Sequence, residues 1–258
     1  MEVKIADFDI GQIANSGQCF RINKLDSQCW EVIAFGKRLI IKYIKGDNYI
    51  FDCSLEEYKT IWEDYFDVKR DYEKIKNEII KTNDPYLIAA VKYGSGIRIL
   101  KQDLWEVIVS FIISQRNNVP RIKNTITKLC APYKNDFPSA DILSKYEEAD
   151  FKNIGLGYRA IYLKDISNLI SAGKFDLEKL KKMEYQEALE YLKRFRGIGE
   201  KVANCIALFG LHKIEAFPID IWIKHIIEKQ YNGNFDIKRF ESYAGIVQQY
   251  MFYYQRSL

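Results

Sequence analysis

The apolar positions of this chain fall into two regimes that meet near residue 54. Before it, short runs rich in Ile, Val, Tyr and Phe occupy 30–35, 37–44 and 49–53. They are punctuated by Gly36 and by Gly46-Asp47-Asn48, which reads as a turn, so the first 53 residues are read as strands of a small antiparallel sheet. Ser54 with Glu57 three residues on forms a capping-box pattern that opens a helix. From there the pattern is helical, and helices are predicted at roughly 55–66, 71–81, 85–93, 102–115, 119–131, 139–145, 158–172, 176–182, 185–195, 200–210, 220–230 and 236–256. The segment QDLWEVIVSFIISQ (102–115) is apolar round most of its circumference and belongs at the centre of a core. Pro85, Pro120, Pro132, Pro138 and Pro218 fall at or beside predicted boundaries, where a missing N–H does least harm. The expected fold class is therefore α+β, mostly helical, with a sheet subdomain and its flanking helix over 1–70 and a helical region over 71–258.

Composition narrows the class. The 258 residues are 48% hydrophobic and 14% aromatic, enough to bury a substantial core and unlike a disordered chain. A net charge of +4 is compatible with a nucleic-acid partner, but from charge alone a Lys-rich solvated surface is the better account of it. The five cysteines are odd in number and form no CxxC pair, which argues against a disulfide framework or a zinc knuckle. After Cys205 there is no cysteine, so a metal cluster in that stretch has no thiolate ligands. No run of about 18 apolar residues is present, so no membrane partner is expected. Residues 1–10 carry Glu2, Asp7 and Asp9 and lack the apolar stretch of a signal peptide, so a cytoplasmic location is expected.

The informative segment is LKRFRGIGEKVANCIALFG (192–210), within a hairpin expected over 185–210. A helix ends near Phe195, Gly197-Ile198-Gly199 turns tightly, and a second helix starts at about Glu200. A Gly-rich turn feeding a helix N-terminus presents free N–H groups and the positive end of the helix dipole, which suits a phosphate. This is the physical description of a helix–hairpin–helix that grips a DNA backbone without reading sequence. An ordinary connection between helices would look the same, so the companions matter. Lys201 sits in the first turn of the second helix, where a cation faces the unfavourable end of the dipole; the position suits an amine that acts uncharged. Cys205, four residues on, shares its face. Further along, Phe217-Pro218-Ile219-Asp220 leads into helix 220–230, with Asp220 placed as an N-cap. A carboxylate there could also stabilise a developing oxocarbenium ion.

The run L-x-x-x-x-G-I-G-x-K-V-A-x-C-I followed by P-I-D resembles the helix–hairpin–helix DNA glycosylases with a Gly/Pro-rich loop and a catalytic Asp (the HhH-GPD superfamily). The Lys in the hairpin marks the bifunctional branch, and Lys-V-A-x-Cys resembles the bacterial type of 8-oxoguanine DNA glycosylase/AP lyase. SGQCFR (16–21), FIISQRNNVPRI (111–122), GLGYRA (155–160) and YAGIVQQYMF (243–252) extend the resemblance over nearly the whole chain. It implies an active-site cleft between helical subdomains and excision of 8-oxoguanine from duplex DNA by base flipping. Lys201 would then attack C1′ and Asp220 would assist. Gly17 would face the lesion base with its carbonyl, Gln248 would read the Watson–Crick edge, and Phe252 and Cys205 would take the two faces of the base. Asn118, Arg121, Tyr158 and Arg159 would meet the opposite base and the gap, and Gly197 and Gly199 the backbone. The implied partner is double-stranded DNA containing an oxidised purine, met by a monomer in the nucleoid. No cofactor is required; a structural monovalent or divalent cation at the carbonyls of Phe195 and Ile198 is implied as well.

Two departures bear on this. Eukaryotic members have three consecutive asparagines where this chain has Arg116-Asn117-Asn118, which bears on the strictness for cytosine. Where they have His two residues after the Asp, Trp222 stands here and removes a phosphate or proton-relay contact. Other readings stay open at this point. A pyrimidine-specific relative usually carries four cluster cysteines near its C-terminus, absent here. An alkylpurine glycosylase usually lacks the hairpin Lys. A non-catalytic DNA-binding module would need neither Asp220 nor the SGQ and YAGIVQ segments.

Overall fold

The computed structural model describes all residues, Met1–Leu258. They divide into two compact units, one formed by Met1–Lys101 with His212–Leu258 and the other by Gln102–Leu211. The sheet expected within 1–70 is thus joined in its unit by residues 71–101 and 212–258.

In the first unit, β1 (Glu2–Lys4), β2 (Ile22–Lys24), β3 (Cys29–Ala34), β4 (Lys37–Lys45) and β5 (Asn48–Phe51) form an antiparallel sheet in the order β1-β5-β4-β3-β2. The β3–β4 hairpin turns at Phe35-Gly36, both at positive φ (53° and 67°), the backbone a two-residue turn needs to match strand twist. Alternation puts Val32, Ala34, Leu39, Ile41, Tyr49 and Phe51 in one buried cluster with Phe8, Ile10, Ile13, Trp62 and Phe66. Ser54 caps the next helical stretch through a 3.0 Å bond from the Glu57 N–H. The reciprocal half of the expected capping box is not made: the Glu57 carboxylate instead accepts the Trp62 indole N–H at 2.9 Å. That stretch winds as a π-helix over Tyr58–Trp62, with both end residues buried.

Two expectations for this unit are corrected. Residues read wholly as strands contain a helix, Ile10–Asn15, whose Asp9 side chain caps the N–H groups of Gly11 and Gln12 at 2.8 and 2.9 Å. It buries Ile10, Ile13 and Ala14, but is too short for its period to stand out beside strands. The single helix expected over 236–256 is broken into a 3-10 turn, Ile237–Phe240, and a helix, Ala244–Gln255. The cause is visible at Gly245, whose N–H donates to the Ile214 carbonyl at 2.8 Å rather than to a carbonyl one turn back. Helix Ala244–Gln255 packs on Pro85–Tyr93 and Ile221–Tyr231 and is buried from Ala244 to Met251.

In the second unit, helix Leu104–Ser114 is buried except at Glu106 and Ser114, as its apolar circumference requires. It packs on Glu200–Phe209, where Phe111 and Phe209 stack at 5.3 Å. A short helix, Glu148–Asn153, escaped the sequence reading because it buries Phe151 alone. No helix in the chain is long and apolar enough to cross a membrane.

Candidate active site

The hairpin lies in the second unit, between helices Tyr185–Leu192 and Glu200–Phe209. Its two glycines differ in kind. Gly197 has φ +86°, and a Cβ there would sit 2.5 Å from Cγ of Tyr162, so both backbone and packing demand glycine. Gly199 has ordinary extended backbone (φ −91°, ψ −177°) and open space where a Cβ would go. No side chain caps the helix at Gly199, so its first-turn N–H groups are left for solvent or an anion. The Ile198 N–H donates to the Phe195 carbonyl at 3.1 Å, closing the turn. Lys201 is partly buried, its Nζ 5.3 Å from the centroid of the Phe111 ring, and Cys205, one turn on, is buried.

Gln115, not singled out by the sequence, ties this turn to a second one. Its Nε2 donates to the Gly197 carbonyl at 2.9 Å. Its own carbonyl accepts from Arg159 Nε at 2.7 Å and from the Tyr158 hydroxyl at 3.4 Å. Arg159 also donates to the carbonyls of Arg116 (3.0 Å) and Leu156 (3.1 Å). It is buried beneath the Tyr158 ring, which lies 4.6 Å from its guanidinium carbon. The Gln115–Arg116 turn, with Arg116 at φ +47°, is held by these bonds. Arg159 is thus the strut of this turn, whereas Tyr158, Asn118 and Arg121 face solvent. Asn118 caps helix Val119–Cys130 through a 3.0 Å bond from the Arg121 N–H. The one signal that could have found Gln115 is that it follows the mostly apolar helix directly and precedes Arg-Asn-Asn-Val-Pro.

The remaining expected residues lie in the first unit. Gly17 has φ +77°, and a Cβ there would approach Cε1 of Phe252 to 3.0 Å, so residues from opposite ends of the chain meet. The loop carrying Gly17 is anchored by Gln18, a fully buried residue also missed by the sequence reading. Its Nε2 donates to the Ser16 hydroxyl and the Arg98 carbonyl, both at 2.9 Å, and its Oε1 accepts the Leu100 N–H at 2.8 Å. The amide fills the place of a strand rung against 98–100.

Asp220 caps helix Ile221–Tyr231, accepting from the N–H groups of Trp222 (3.0 Å) and Ile223 (2.9 Å). Both bonds fall on Oδ1, so the cap leaves Oδ2 for another partner. Ile219, Ile221 and Trp222 around it are exposed. Gln248 is buried; its Nε2 donates to the Pro218 carbonyl at 3.2 Å and its Oε1 accepts from Gln249 Nε2 at 3.1 Å. It therefore joins helix Ala244–Gln255 to the turn that carries Asp220. Phe252, one helical turn beyond Gln248, is partly exposed. Gly17, Asp220, Gln248 and Phe252 thus share one unit; Lys201, Cys205, Asn118, Arg121, Tyr158, Arg159, Gly197 and Gly199 share the other.

Comparisons with known proteins bear on this arrangement. Residues 1–108 match the 8-oxoguanine DNA glycosylase N-terminal domain, and residues 109–241 match the HhH-GPD superfamily of base excision DNA repair proteins. An N-glycosylase/DNA lyase of Saccharomyces cerevisiae is 33% identical over 158 residues, a match spanning 53% of this chain and 42% of that protein. A probable N-glycosylase/DNA lyase of Methanothermobacter thermautotrophicus is 26% identical, over 99% of this chain and 96% of its own length. Among solved structures, the Clostridium acetobutylicum 8-oxoguanine glycosylase/lyase bound to double-stranded DNA with cytosine opposite 8-oxoguanine superposes with a TM-score of 0.91. It is 37% identical and covers 100% of this chain and 97% of that one.

Proposed function

Because this chain belongs to the HhH-GPD superfamily of base excision DNA repair proteins, preceded in sequence by an 8-oxoguanine DNA glycosylase N-terminal domain, we propose that it is a bifunctional glycosylase and AP lyase acting on 8-oxoguanine in duplex DNA. C1′ and the base edge are inaccessible in a stacked duplex, so the damaged nucleotide is flipped out. The Lys201 amine bonds to C1′ as the bond from C1′ to the base breaks. The leaving electron pair goes to the base, which gains a proton, and the amine loses one. The sugar opens to a Schiff base on Lys201. Loss of a proton from C2′ then expels the 3′ phosphate, nicking the strand by β-elimination. Asp220 stabilises positive charge at the sugar with the oxygen its cap leaves over.

Recognition rests on one hydrogen. N7 of 8-oxoguanine carries a proton that N7 of guanine lacks, so the Gly17 carbonyl accepts from the lesion and opposes the normal base. Gln248, Phe252 and Cys205 bind the extruded base. Tyr158, Asn118 and Arg121, with Arg159 bracing the turn beneath them, serve the opposite strand, and the hairpin at Gly197 and Gly199 meets phosphate. The chain acts as a monomer and requires no cofactor. A structural cation at the hairpin would draw on the carbonyls of Ile198 and Phe195, the latter keeping one lone pair beyond its bond to the Ile198 N–H.

The observation that supports this reading most is the meeting of Gly17 with Phe252, one helical turn beyond Gln248, in a single unit. Borohydride trapping on a duplex with 8-oxoguanine opposite cytosine tests it. The wild type should give a covalent adduct, and Lys201→Gln should lose the adduct with strand cleavage falling on the order of a thousandfold or more. A wild type that binds DNA yet cleaves neither this duplex nor one with an abasic site would leave only a binding module.

A further inference from the structure

Helix Ala244–Gln255 makes one more turn past Phe252, and that turn returns a guanidinium to the ring. Arg256, the C-terminal cap residue of the helix, has its Cζ 5.4 Å from the centroid of Phe252. Its Nη1 donates to the Asn15 carbonyl at 3.3 Å, and a Cβ on Gly17 would lie 3.9 Å from the same nitrogen. Asn15 is the last residue of helix Ile10–Asn15, so its carbonyl is one of the groups a helix end leaves unpaired. Two helix C-termini, each a centre of partial negative charge, thus converge on one cation.

We propose that Arg256 is a positioning residue for lesion recognition, pinning the Phe252 ring against the Gly17 loop in the pose that receives the flipped base. A phenylalanine has no polar atom to hold its ring plane, and this one is half-exposed with only glycine at one edge. A cation over the ring and tethered to the Gly17 loop supplies the missing constraint. Arg256 itself is exposed, so its contribution to the fold is small. Its role is exercised through Phe252, the ring its guanidinium overlies. The inference rests on the reading of Phe252 as the base platform.

The test compares two substrates in the full-length protein: single-turnover excision of 8-oxoguanine opposite cytosine, and cleavage at a preformed abasic site in the same duplex, where there is no base to stack. Arg256→Ala should slow excision about fivefold to tenfold and change abasic-site cleavage by less than about twofold, with an unaltered melting temperature. Arg256→Lys, which keeps the charge but not the planar fork, should recover part of the loss. Equal loss on both substrates would make Arg256 a general DNA contact and overturn the inference, as would undiminished excision. Phe252→Ala separates the two levels. If it leaves excision intact, the platform reading fails; if it slows excision while Arg256→Ala does not, only the role of Arg256 fails.

Discussion

In the hairpin, Gly197, Gly199, Lys201 and Cys205 lie on one continuous segment, and a single turn with one helical period sets their spacing. In the other unit, Gly17, Asp220, Gln248 and Phe252 come from three stretches far apart in the chain. They are brought into register by buried amides: Gln18 on the backbone at 98–100 and Gln248 on the Pro218 carbonyl. On the proposed reading, the hairpin carries the nucleophile and the other region carries recognition. The difference teaches that the proposed reacting group is placed mainly by local backbone geometry. The proposed reading wall depends instead on side-chain to backbone hydrogen bonds that a small shift of any one segment would break. An unpaired buried amide costs about 1–3 kcal/mol, so these clamps hold the reading wall rigidly or not at all.

Asp220 sits on the line between the two roles, and its conservative variant shows the largest effect expected in the wall. Asparagine caps a helix about as well as aspartate, so Asp220→Asn keeps the acceptor for Trp222 and Ile223 and leaves the melting temperature nearly unchanged. It removes the negative charge at the second oxygen. Single-turnover excision should fall on the order of 10²–10³-fold while binding to the lesion duplex holds. Excision near the wild-type rate would reduce Asp220 to a cap and confine the chemistry to the hairpin.

The hairpin glycines sharpen the comparison from the other side. Gly197→Ala places a methyl 2.5 Å from the Tyr162 ring at φ +86°. The combined strain should destabilise the protein by about 2–4 kcal/mol in chemical denaturation. Gly199→Ala meets nothing within the chain, so stability should stay within about 0.5 kcal/mol. If the open face at Gly199 is where phosphate docks, DNA affinity falls in that variant alone. Unchanged affinity with unchanged stability would remove Gly199 from the DNA interface.

What could be read from the sequence follows the same division. The hairpin was legible because its signal is local: two glycines, a lysine in the first turn and an apolar period after it. Asp220 was legible as a cap for the same reason, and the central helix Leu104–Ser114 by its apolar circumference. Gln18 and Gln115 were not legible, because a glutamine's partner is a backbone carbonyl that composition and periodicity do not mark. Neither was the break before Ala244, which depends on the Gly245 N–H finding the Ile214 carbonyl. Arg159 is expected from the resemblance to meet the opposite base, yet three carbonyls in two turns hold it inside. In each case the deciding interaction joins segments whose proximity only the folded chain creates.

A substitution in the Gly17 loop tests whether recognition and nucleophile are separable. Gly17→Ala forces an L-residue to φ +77°, which costs about 1–2 kcal/mol, and sets its methyl 3.0 Å from Cε1 of Phe252. The Phe252 ring is partly exposed and can give way, so the fold survives while the carbonyl and the ring shift. Excision of 8-oxoguanine should drop about tenfold, the effect of roughly 1.4 kcal/mol lost from one hydrogen bond and one stacking pose. On the proposed mechanism, cleavage at a preformed abasic site uses Lys201 and involves no base, so it should change by less than about twofold. The two rates measured on one variant decide the matter. A parallel fall in both would mean that the Gly17 loop and the hairpin amine act as one cooperative site.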